Sequence, residues 1–142
     1  MIGIDTNLLV YAHRTGTSEH RAAVRALEKA SRDPRGWGIA LPSVAEFWSV
    51  VTHPACSGGP STAREAHGFL AALTEGGAII WVPGEDFWHR LTRLASDLGI
   101  HGARIFDLQI ALAARDNGAT EIWTHDAAFV SVQGLRVHDP LK

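Results

Sequence analysis

A chain of 142 residues can bury one hydrophobic core but not two independent ones, so a single domain spanning residues 1–142 is expected. Hydrophobic residues at 46% and charged residues at 20% exclude a disordered chain, and no apolar run approaches the roughly 20 residues that cross a bilayer. The single cysteine, Cys56, excludes an internal disulfide and a thiolate zinc site, and the chain begins without a basic signal region, so a cytoplasmic location is expected.

Short apolar strands alternate with helices along the chain. Strands are predicted at residues 2–4, 36–41, 78–82, 121–124 and 135–137, the third of them buried and the fifth at a sheet edge. Helices are predicted from residue 8 onward and over residues 18–32, 42–52, 62–73, 85–97 and 103–117. Pro42 opens one helix, Thr62 and Glu65 have capping-box spacing, and Gly99 ends another helix. The alternation predicts a three-layer α/β/α fold with a mostly parallel central sheet.

Two aspartates lie just beyond predicted strands. Asp5 comes directly after the first strand, and Asp126 follows the fourth by two residues. In open parallel sheets the functional crevice lies beyond the carboxyl ends of the strands, so the two carboxylates converge if these strands are neighbours. The alternative for each residue is a purely structural role as a helix N-cap, which aspartate fills well.

Two further acids lie among apolar residues of predicted helices. Asp107 interrupts the core-forming segment RIFDLQIAL at residues 104–112, and aspartate is unfavourable inside a helix. Glu46 lies between apolar neighbours near the start of the helix after the second strand, and a carboxylate there needs a partner to stay ionised. The structural alternatives are a solvent-facing acid in the first helical turn for Asp107 and a half-exposed acid paired with an arginine for Glu46.

The four acids share one predicted location. Each lies at a strand end or near the start of the following helix, which brings them to one edge of the sheet. Four carboxylates would repel one another there unless cations bind them. Mg²⁺ or Mn²⁺ would neutralise the acids, activate water and stabilise a phosphate under in-line attack. The cluster therefore predicts hydrolysis of a phosphodiester bond.

The sequence resembles the PIN-domain nucleases along essentially the whole chain. The most specific segments are IGIDTNLLVY at residues 2–11, FDLQIALA at 106–113 and THDAAF at 124–129. Together with PSVAE at residues 42–46, they place the acids in the order of that family, an N-terminal Asp, a central Glu and two later Asp residues. The length of the chain and the PSVAE segment are also similar to those of the VapC-type toxins.

The resemblance implies an Mg²⁺- or Mn²⁺-dependent ribonuclease. It implies catalytic, metal-binding carboxylates at four positions, Asp5, Glu46, Asp107 and, for a second or weaker ion, Asp126. It implies that water or the carboxylates are oriented by Thr6, Asn7 and Thr124. His125 lies where the family often has a basic residue, so its contact with phosphate would depend on pH.

Partners follow from the same resemblance. It implies an RNA substrate cut to leave a 5′ phosphate, a small antitoxin that covers the acidic crevice, and a homodimer. The apolar surface around Phe47, Trp48 and the helix at residues 61–73 is the expected antitoxin contact. The formal net charge of −2 counts against nucleic-acid binding, but the surface outside the four acids carries +2. Arg14 and Arg104 are candidate RNA contacts there.

Other functions fit the sequence less well. The chain has no His-x-x-x-His zinc motif, no phosphate-binding glycine loop of the P-loop or Rossmann kind, and no Gly-x-Ser-x-Gly elbow. A haloacid-dehalogenase phosphatase needs a second Asp two residues after Asp5, where this chain has Asn7. Two alternatives stay open: a PIN-like module that binds RNA or protein without cutting, and a housekeeping nuclease that matures RNA or cuts DNA flaps.

Overall fold

Five parallel strands form one sheet in the order β3-β2-β1-β4-β5. The computed structural model describes all 142 residues. The strands are β1 (Ile2–Ile4), β2 (Trp37–Ala40), β3 (Ile79–Trp81), β4 (Glu121–Trp123) and β5 (Arg136–His138). The helices are α1 (Thr6–His13), α2 (His20–Ser31), α3 (Leu41–Val51), α4 (Ala63–Glu75), α5 (Phe87–Leu98) and α6 (Arg104–Asp116).

Helices cover both faces of the sheet. Successive side chains of a strand point to opposite faces, so the apolar strands need a helical layer on each side. On one face, Ile2, Ile4 and Ile39 belong to a buried cluster with residues of α1, α2, α3 and α4. On the other face, Ile122 belongs to a second cluster with residues of α5 and α6. The two clusters are the two interfaces of a three-layer α/β/α fold, so the predicted fold class is confirmed.

Trp81 at the end of β3 packs across the sheet over a glycine of the neighbouring strand. A Cβ added at Gly38 would overlap the indole ring, and one added at Gly3 would come within 3.4 Å of it. Larger side chains at Gly38 would therefore displace the ring from the core. Because Gly38 has no side chain, the Trp81 ring can fill the space between the sheet and α6.

Local signals in the sequence set several helix ends. The Thr62 hydroxyl accepts from the amide of Glu65 at 3.1 Å, and the Glu65 carboxylate accepts from the amide of Thr62 at 3.0 Å, which confirms the predicted capping box of α4. Pro42 lies in the first turn of α3, and Gly99, with φ of 65°, ends α5 in the left-handed region. Helix α1 begins before the predicted residue 8, because Asp5 caps it.

The prediction of a buried third strand is wrong. β3 lies at an edge of the sheet, and Ile79 is 49% exposed. A short apolar run does not distinguish a central strand from an edge strand covered on one side. β5 lies at the opposite edge, as predicted. None of the helices combines the length and the apolar character needed to cross a membrane.

The order of the strands reverses beside β1. The chain proceeds outward from β1 through β2 to β3, then returns to the other side of β1 for β4 and β5. Such a reversal opens a crevice beyond the carboxyl ends of the two central strands. The residues that follow β1 and β4 therefore line the place where an α/β sheet of this kind binds its ligand.

Candidate active site

Asp5 and Thr124 leave the sheet side by side, because β1 and β4 pair with Ile4 opposite Trp123. The Asp5 amide donates to the Trp123 carbonyl at 3.0 Å, which continues the pairing one residue beyond β1. The first and fourth strands are therefore neighbours, which is the condition under which the carboxylates after them were expected to converge. Parallel pairing thus brings together two parts of the chain that are 119 residues apart.

The Asp5 side chain is buried and hydrogen-bonded through both oxygens. Oδ1 accepts from the Thr6 amide at 2.7 Å, which makes Asp5 the N-cap of α1. Oδ2 accepts from the Thr124 hydroxyl at 2.7 Å and from Asn7 Nδ2 at 3.4 Å. Asp5 therefore caps α1 with one oxygen while its other oxygen faces Thr124 at the end of β4, so capping and a role in the site are compatible.

Thr124 is the hub of this hydrogen-bond network. It is 1% exposed, and its hydroxyl donates to Asp5 while accepting from Asn7 Nδ2 at 3.0 Å and from the Asp126 amide at 3.1 Å. Asn7 Oδ1 in turn accepts from the His125 amide at 3.3 Å. The donor and both acceptor positions of the hydroxyl are occupied, so its orientation is fixed.

Glu46 reaches the same region from the first half of α3. The Thr6 hydroxyl donates to Glu46 Oε2 at 3.0 Å. The other oxygen, Oε1, is buried and has no hydrogen-bond partner. A buried carboxylate oxygen without a donor or a cation is unfavourable. This atom therefore marks a point at which a bound cation would be stabilised.

The pKa values of Asp5 and Glu46 are both raised, in part by neighbouring carboxylates. Burial raises the pKa of Asp5 from 3.8 to about 6, against the opposing hydrogen bonds from Thr124 and Thr6. The charges of Asp107 and Glu46 raise it further. The pKa of Glu46 is raised by burial and by the charge of Asp107, against the hydrogen bond from Thr6. The three acids form one electrostatic cluster.

Asp107 and Asp126 share an arginine. Arg104 Nη1 donates to Asp107 Oδ2 at 2.9 Å and to Asp126 Oδ2 at 3.0 Å. The Val130 amide also donates to Asp107 Oδ2, at 3.3 Å, and the Ala128 amide donates to Asp126 Oδ1 at 2.9 Å. The pKa of Asp126 is lowered, first by the Ala128 amide and then by Arg104.

Asp107 does not interrupt the interior of its helix, contrary to the expectation from the sequence. Helix α6 begins at Arg104, so Asp107 lies in the first turn and not in the interior. A first-turn acid is compatible with a purely structural role. The charge of Asp107 nevertheless raises the pKa of both Asp5 and Glu46, which places it in the acid cluster.

An open cleft of about 390 Å³ lies beside α3 and α6, lined by Glu46, Ala103, Arg104, Phe106 and Asp107. No three Asp, Glu, His or Cys side chains are placed to hold a metal ion together. The residues nevertheless fit a divalent cation, because Glu46 offers an unpartnered buried oxygen and its neighbours offer further carboxylates. Carboxylate oxygens are the ligands that Mg²⁺ and Mn²⁺ prefer.

Comparison with known proteins assigns the family. The model of the PIN domain matches residues 2–135. The chain belongs to the PIN-domain family. Among curated proteins, this PIN domain is similar to ribonuclease VapC43 of Mycobacterium tuberculosis (strain ATCC 25618 / H37Rv), with 33% identity over 142 residues that cover 99% of this chain and 96% of that protein.

Solved structures show the same fold. This PIN domain is similar to VapC20 of Mycobacterium tuberculosis, a sarcin–ricin loop cleaving toxin, with a TM-score of 0.70 and 15% identity over 93% of this chain and 98% of that one. It is also similar to VapBC2 of Rickettsia felis bound to a DNA fragment from their promoter, with a TM-score of 0.67 and 19% identity over 97% and 98% of the two chains.

His125 of this PIN domain contacts an acid that sequence reasoning missed. Its Nδ1 lies 2.9 Å from Asp139 Oδ2, and its ring packs edge-on against Tyr11 with centroids 6.1 Å apart. Asp139 follows β5 directly. The rule that indicates Asp5 and Asp126, an acid within a few residues of a strand end, also indicates Asp139. A contact of His125 with phosphate stays a prediction.

Ser43 is a second residue that the sequence did not single out. It is fully buried, and its hydroxyl has no hydrogen-bond partner. It lies three residues before Glu46 in α3, a spacing that puts two side chains on the same side of a helix. A serine near the start of a helix has many structural uses, so its sequence gives no signal of a site.

Arg14 lies at the other end of α1 from Asp5. Its guanidinium donates to the Gly59 carbonyl at 2.7 Å and to the Ser61 hydroxyl at 3.2 Å. At 1.5 Å per residue, the helix separates the two ends by roughly 14 Å. The structure thus gives Arg14 a role in anchoring a loop and does not bring it to the acids. Arg104 is the predicted arginine that lies at the carboxylates.

The expected antitoxin surface needs one correction. Phe47 is not on the surface, because it is fully buried and stacks on Phe69 with ring centroids 5.1 Å apart. Trp48 is 39% exposed and remains part of an accessible surface. A separate apolar groove of about 240 Å³ lies between α2 and α4, and its lining includes Leu27, Phe69 and Leu73.

Proposed function

We propose that this PIN domain is a metal-dependent endoribonuclease that hydrolyses RNA phosphodiester bonds as the toxin of a type II toxin–antitoxin pair. The observation that carries the proposal is the buried, unpartnered Oε1 of Glu46 within an electrostatic cluster that includes Asp5 and Asp107. Similarity to VapC ribonucleases over nearly the whole chain supports both the reaction and the toxin role.

Mg²⁺ or Mn²⁺ is the proposed cofactor. Asp5, Glu46 and Asp107 would hold the principal ion, and Asp126 would assist a second or weaker one. When bound, the ion supplies Lewis-acid chemistry, which activates water and neutralises charge on the phosphate under attack. All four residues offer oxygen ligands, which suits a hard divalent cation better than a soft one.

The chain's own residues prepare the carboxylates for this task. The amide of Thr6 and the hydroxyl of Thr124 fix Asp5 through its two oxygens. The hydroxyl of Thr6 fixes Glu46 through Oε2 and leaves Oε1 unpaired. Asn7 holds the Thr124 hydroxyl in place. Ligands oriented in advance lose little freedom when an ion binds, which favours both affinity and precise placement of the substrate.

An antitoxin protein and a second copy of the chain are the proposed partners, beside RNA. The exposed Trp48 and the groove lined by Phe69 and Leu73 provide apolar surface that an antitoxin segment would cover. The exposed side chains of Trp88 and Phe106 are further apolar surface of the kind that association covers. The structural likeness to VapBC2 supports an antitoxin partner.

Glu46→Gln tests the catalytic proposal. Glutamine keeps an oxygen for the Thr6 hydroxyl but removes the negative charge, so cleavage of single-stranded RNA with Mn²⁺ should fall at least about 100-fold. The matched control is Glu75→Gln, which removes one charge from an exposed residue at the end of α4 and should leave cleavage unchanged. EDTA should abolish cleavage by the wild type and by the control.

The same assay separates the alternative functions. Wild-type rates from Glu46→Gln, or cleavage that persists in EDTA, would remove the proposed mechanism. RNA binding without any cleavage by the wild type would favour the non-catalytic module. Growth arrest on expression that a neighbouring gene relieves would favour the toxin over a housekeeping nuclease, and sequencing of RNA ends after induction would identify the cleaved sites.

A further inference from the structure

Arg104 places one nitrogen between Asp107, which belongs to the acid cluster, and Asp126, which lies beside it. Nη1 donates to Asp107 Oδ2 at 2.9 Å and to Asp126 Oδ2 at 3.0 Å. A cation that bridged the two carboxylates would contact the same oxygens. The Arg104 side chain is 46% exposed, so it can leave this position without opening the hydrophobic core.

Helix α6 alone does not explain an arginine at this position. Arg104 is the first residue of the helix, where a positive charge opposes the helix dipole. Its partner Asp107 follows three residues later, and a cation placed before an anion is the less favourable order for an ion pair along a helix. The contacts with the acids are therefore what stabilises the cation there.

We propose that Arg104 is an internal counter-ion of the active site, which a divalent cation must displace from Asp107 and Asp126. The inference rests on the proposed function, because it requires that these acids bind a metal ion. A guanidinium and a divalent ion compete for the same carboxylate oxygens, and their like charges repel at short range. Arg104 therefore relieves the repulsion between the acids without metal and raises the ion concentration at which the site fills.

A titration with Mn²⁺ alone tests the competition. Free Mn²⁺ is followed by its paramagnetic resonance signal at low ionic strength and pH 7.5, for the wild type, Arg104→Gln and Arg90→Gln. Arg90 is a matched control, because it is also about half exposed and pairs with Asp116 at the other end of α6, with Nη1 to Oδ1 at 3.1 Å. Both variants remove one arginine charge; Arg104→Gln breaks the pairs with Asp107 and Asp126, and Arg90→Gln breaks the pair with Asp116.

The expected result is tighter binding by one variant only. Arg104→Gln should bind Mn²⁺ about five- to tenfold more tightly than the wild type, because the competing cation is gone. Arg90→Gln should stay within about twofold, because its charge is remote and screened. The rise in melting temperature on adding Mn²⁺ should also be larger for Arg104→Gln, since tighter binding to the folded state stabilises it more.

Three other outcomes overturn the inference in distinguishable ways. Equal affinity of Arg104→Gln and Arg90→Gln would show that Arg104 does not compete, while the proposed function stands. Weaker binding by Arg104→Gln would show that the arginine arranges the acids for the ion instead of excluding it. Failure of the wild type to bind Mn²⁺ would remove the metal mechanism itself, together with the inference built on it.

Discussion

The acids of the candidate site form two halves that are held in different ways, a buried half at Asp5 and an exposed half at Asp126. Asp5 is 6% exposed and receives hydrogen bonds from the Thr6 amide and the Thr124 hydroxyl, both set by the start of α1 and the end of β4. The Asp126 side chain is 38% exposed and is held by the Ala128 amide and by Arg104. Neutral groups alone thus fix the buried half, whereas the exposed half is held by one backbone amide and one flexible charged side chain.

This difference assigns separate tasks to the two halves. Thr124 and the Thr6 amide cannot leave Asp5 without disturbing a strand end and a helix start, so the buried half is preorganised. Arg104 can rotate away from Asp126, so the exposed half is adjustable. The pKa values of the two aspartates are shifted in opposite directions. Burial raises the pKa of Asp5, whereas a backbone amide and Arg104 lower the pKa of Asp126.

The largest expected effect concerns the pH dependence of Asp5→Asn. Between the ordinary value of 3.8 and a folded pKa of about 6, the unfolded chain ionises Asp5 while the folded chain keeps it protonated, so the free energy of unfolding falls as pH rises. A pKa difference of this size corresponds to about 3 kcal/mol of stability lost above pH 6. Asparagine does not ionise, so Asp5→Asn should lack this decline.

Urea unfolding in EDTA from pH 4 to pH 7 measures the effect. Asp97→Asn provides the control, because it removes a carboxylate from an exposed position on α5 and should keep the wild-type dependence on pH. If the free energies of unfolding of the wild type and Asp5→Asn changed equally with pH, the ionised Asp5 carboxylate would not be destabilising. That result would also remove the contrast between the two halves of the site.

Thr124→Val should produce the next largest effect. Valine has nearly the same shape but leaves Asp5 Oδ2 with only the 3.4 Å contact to Asn7, and it removes the acceptor for the Asp126 amide. Loss of these buried hydrogen bonds should lower the free energy of unfolding by about 2 kcal/mol. Cleavage should fall about 10- to 100-fold, because Asp5 loses its orientation.

The exposed Thr120, just before β4, supplies the control for that change. Thr120→Val should stay within about 0.5 kcal/mol of the wild type in urea unfolding. If Thr124→Val were equally stable and active, the hydroxyl would not be the element that fixes Asp5. The buried half of the site would then depend on the helix cap alone.

Sequence patterns predicted the part of the site that follows from strand ends. Asp5 and Asp126 were located because parallel strands end at one edge of the sheet, and the pairing of β1 with β4 confirms that these strands are neighbours. Glu46 stood out because a carboxylate among apolar residues needs a partner, and the structure leaves one of its oxygens buried without one. These inferences use only local composition and the general topology of α/β sheets.

Sequence patterns of this kind do not predict contacts between distant parts of the chain. Arg104 and Asp107 lie three residues apart in one helix, but the second contact of Arg104 reaches Asp126, 22 residues away. The burial of Phe47 depends on its packing against Phe69 of another helix. Periodicity identifies the apolar side of an element but not the element that covers it, which is also why β3 was predicted as buried.

The smallest expected effect is that of Asp126→Asn. Asparagine keeps one oxygen that can accept from the Ala128 amide, and it replaces the charged oxygen that accepts from Arg104 with a neutral NH₂ group. A pair with a half-exposed arginine contributes little, so stability at pH 7 should fall by less than about 1 kcal/mol. Cleavage should fall about tenfold, less than for Glu46→Gln, because Asp126 is proposed to assist only the weaker ion.

The pH dependence of Asp126→Asn should run opposite to that of Asp5→Asn. The pKa of Asp126 is lowered, first by the Ala128 amide and then by Arg104, so its stabilising contribution is present above the unfolded pKa and is lost as pH falls through the folded one. The free energies of unfolding of the wild type and Asp126→Asn should therefore differ slightly at pH 7 and become equal in acid. Urea unfolding at pH 7 and at an acidic pH would measure this. A loss as large as that of Thr124→Val would mean that Arg104 holds Asp126 as firmly as the fold holds Asp5.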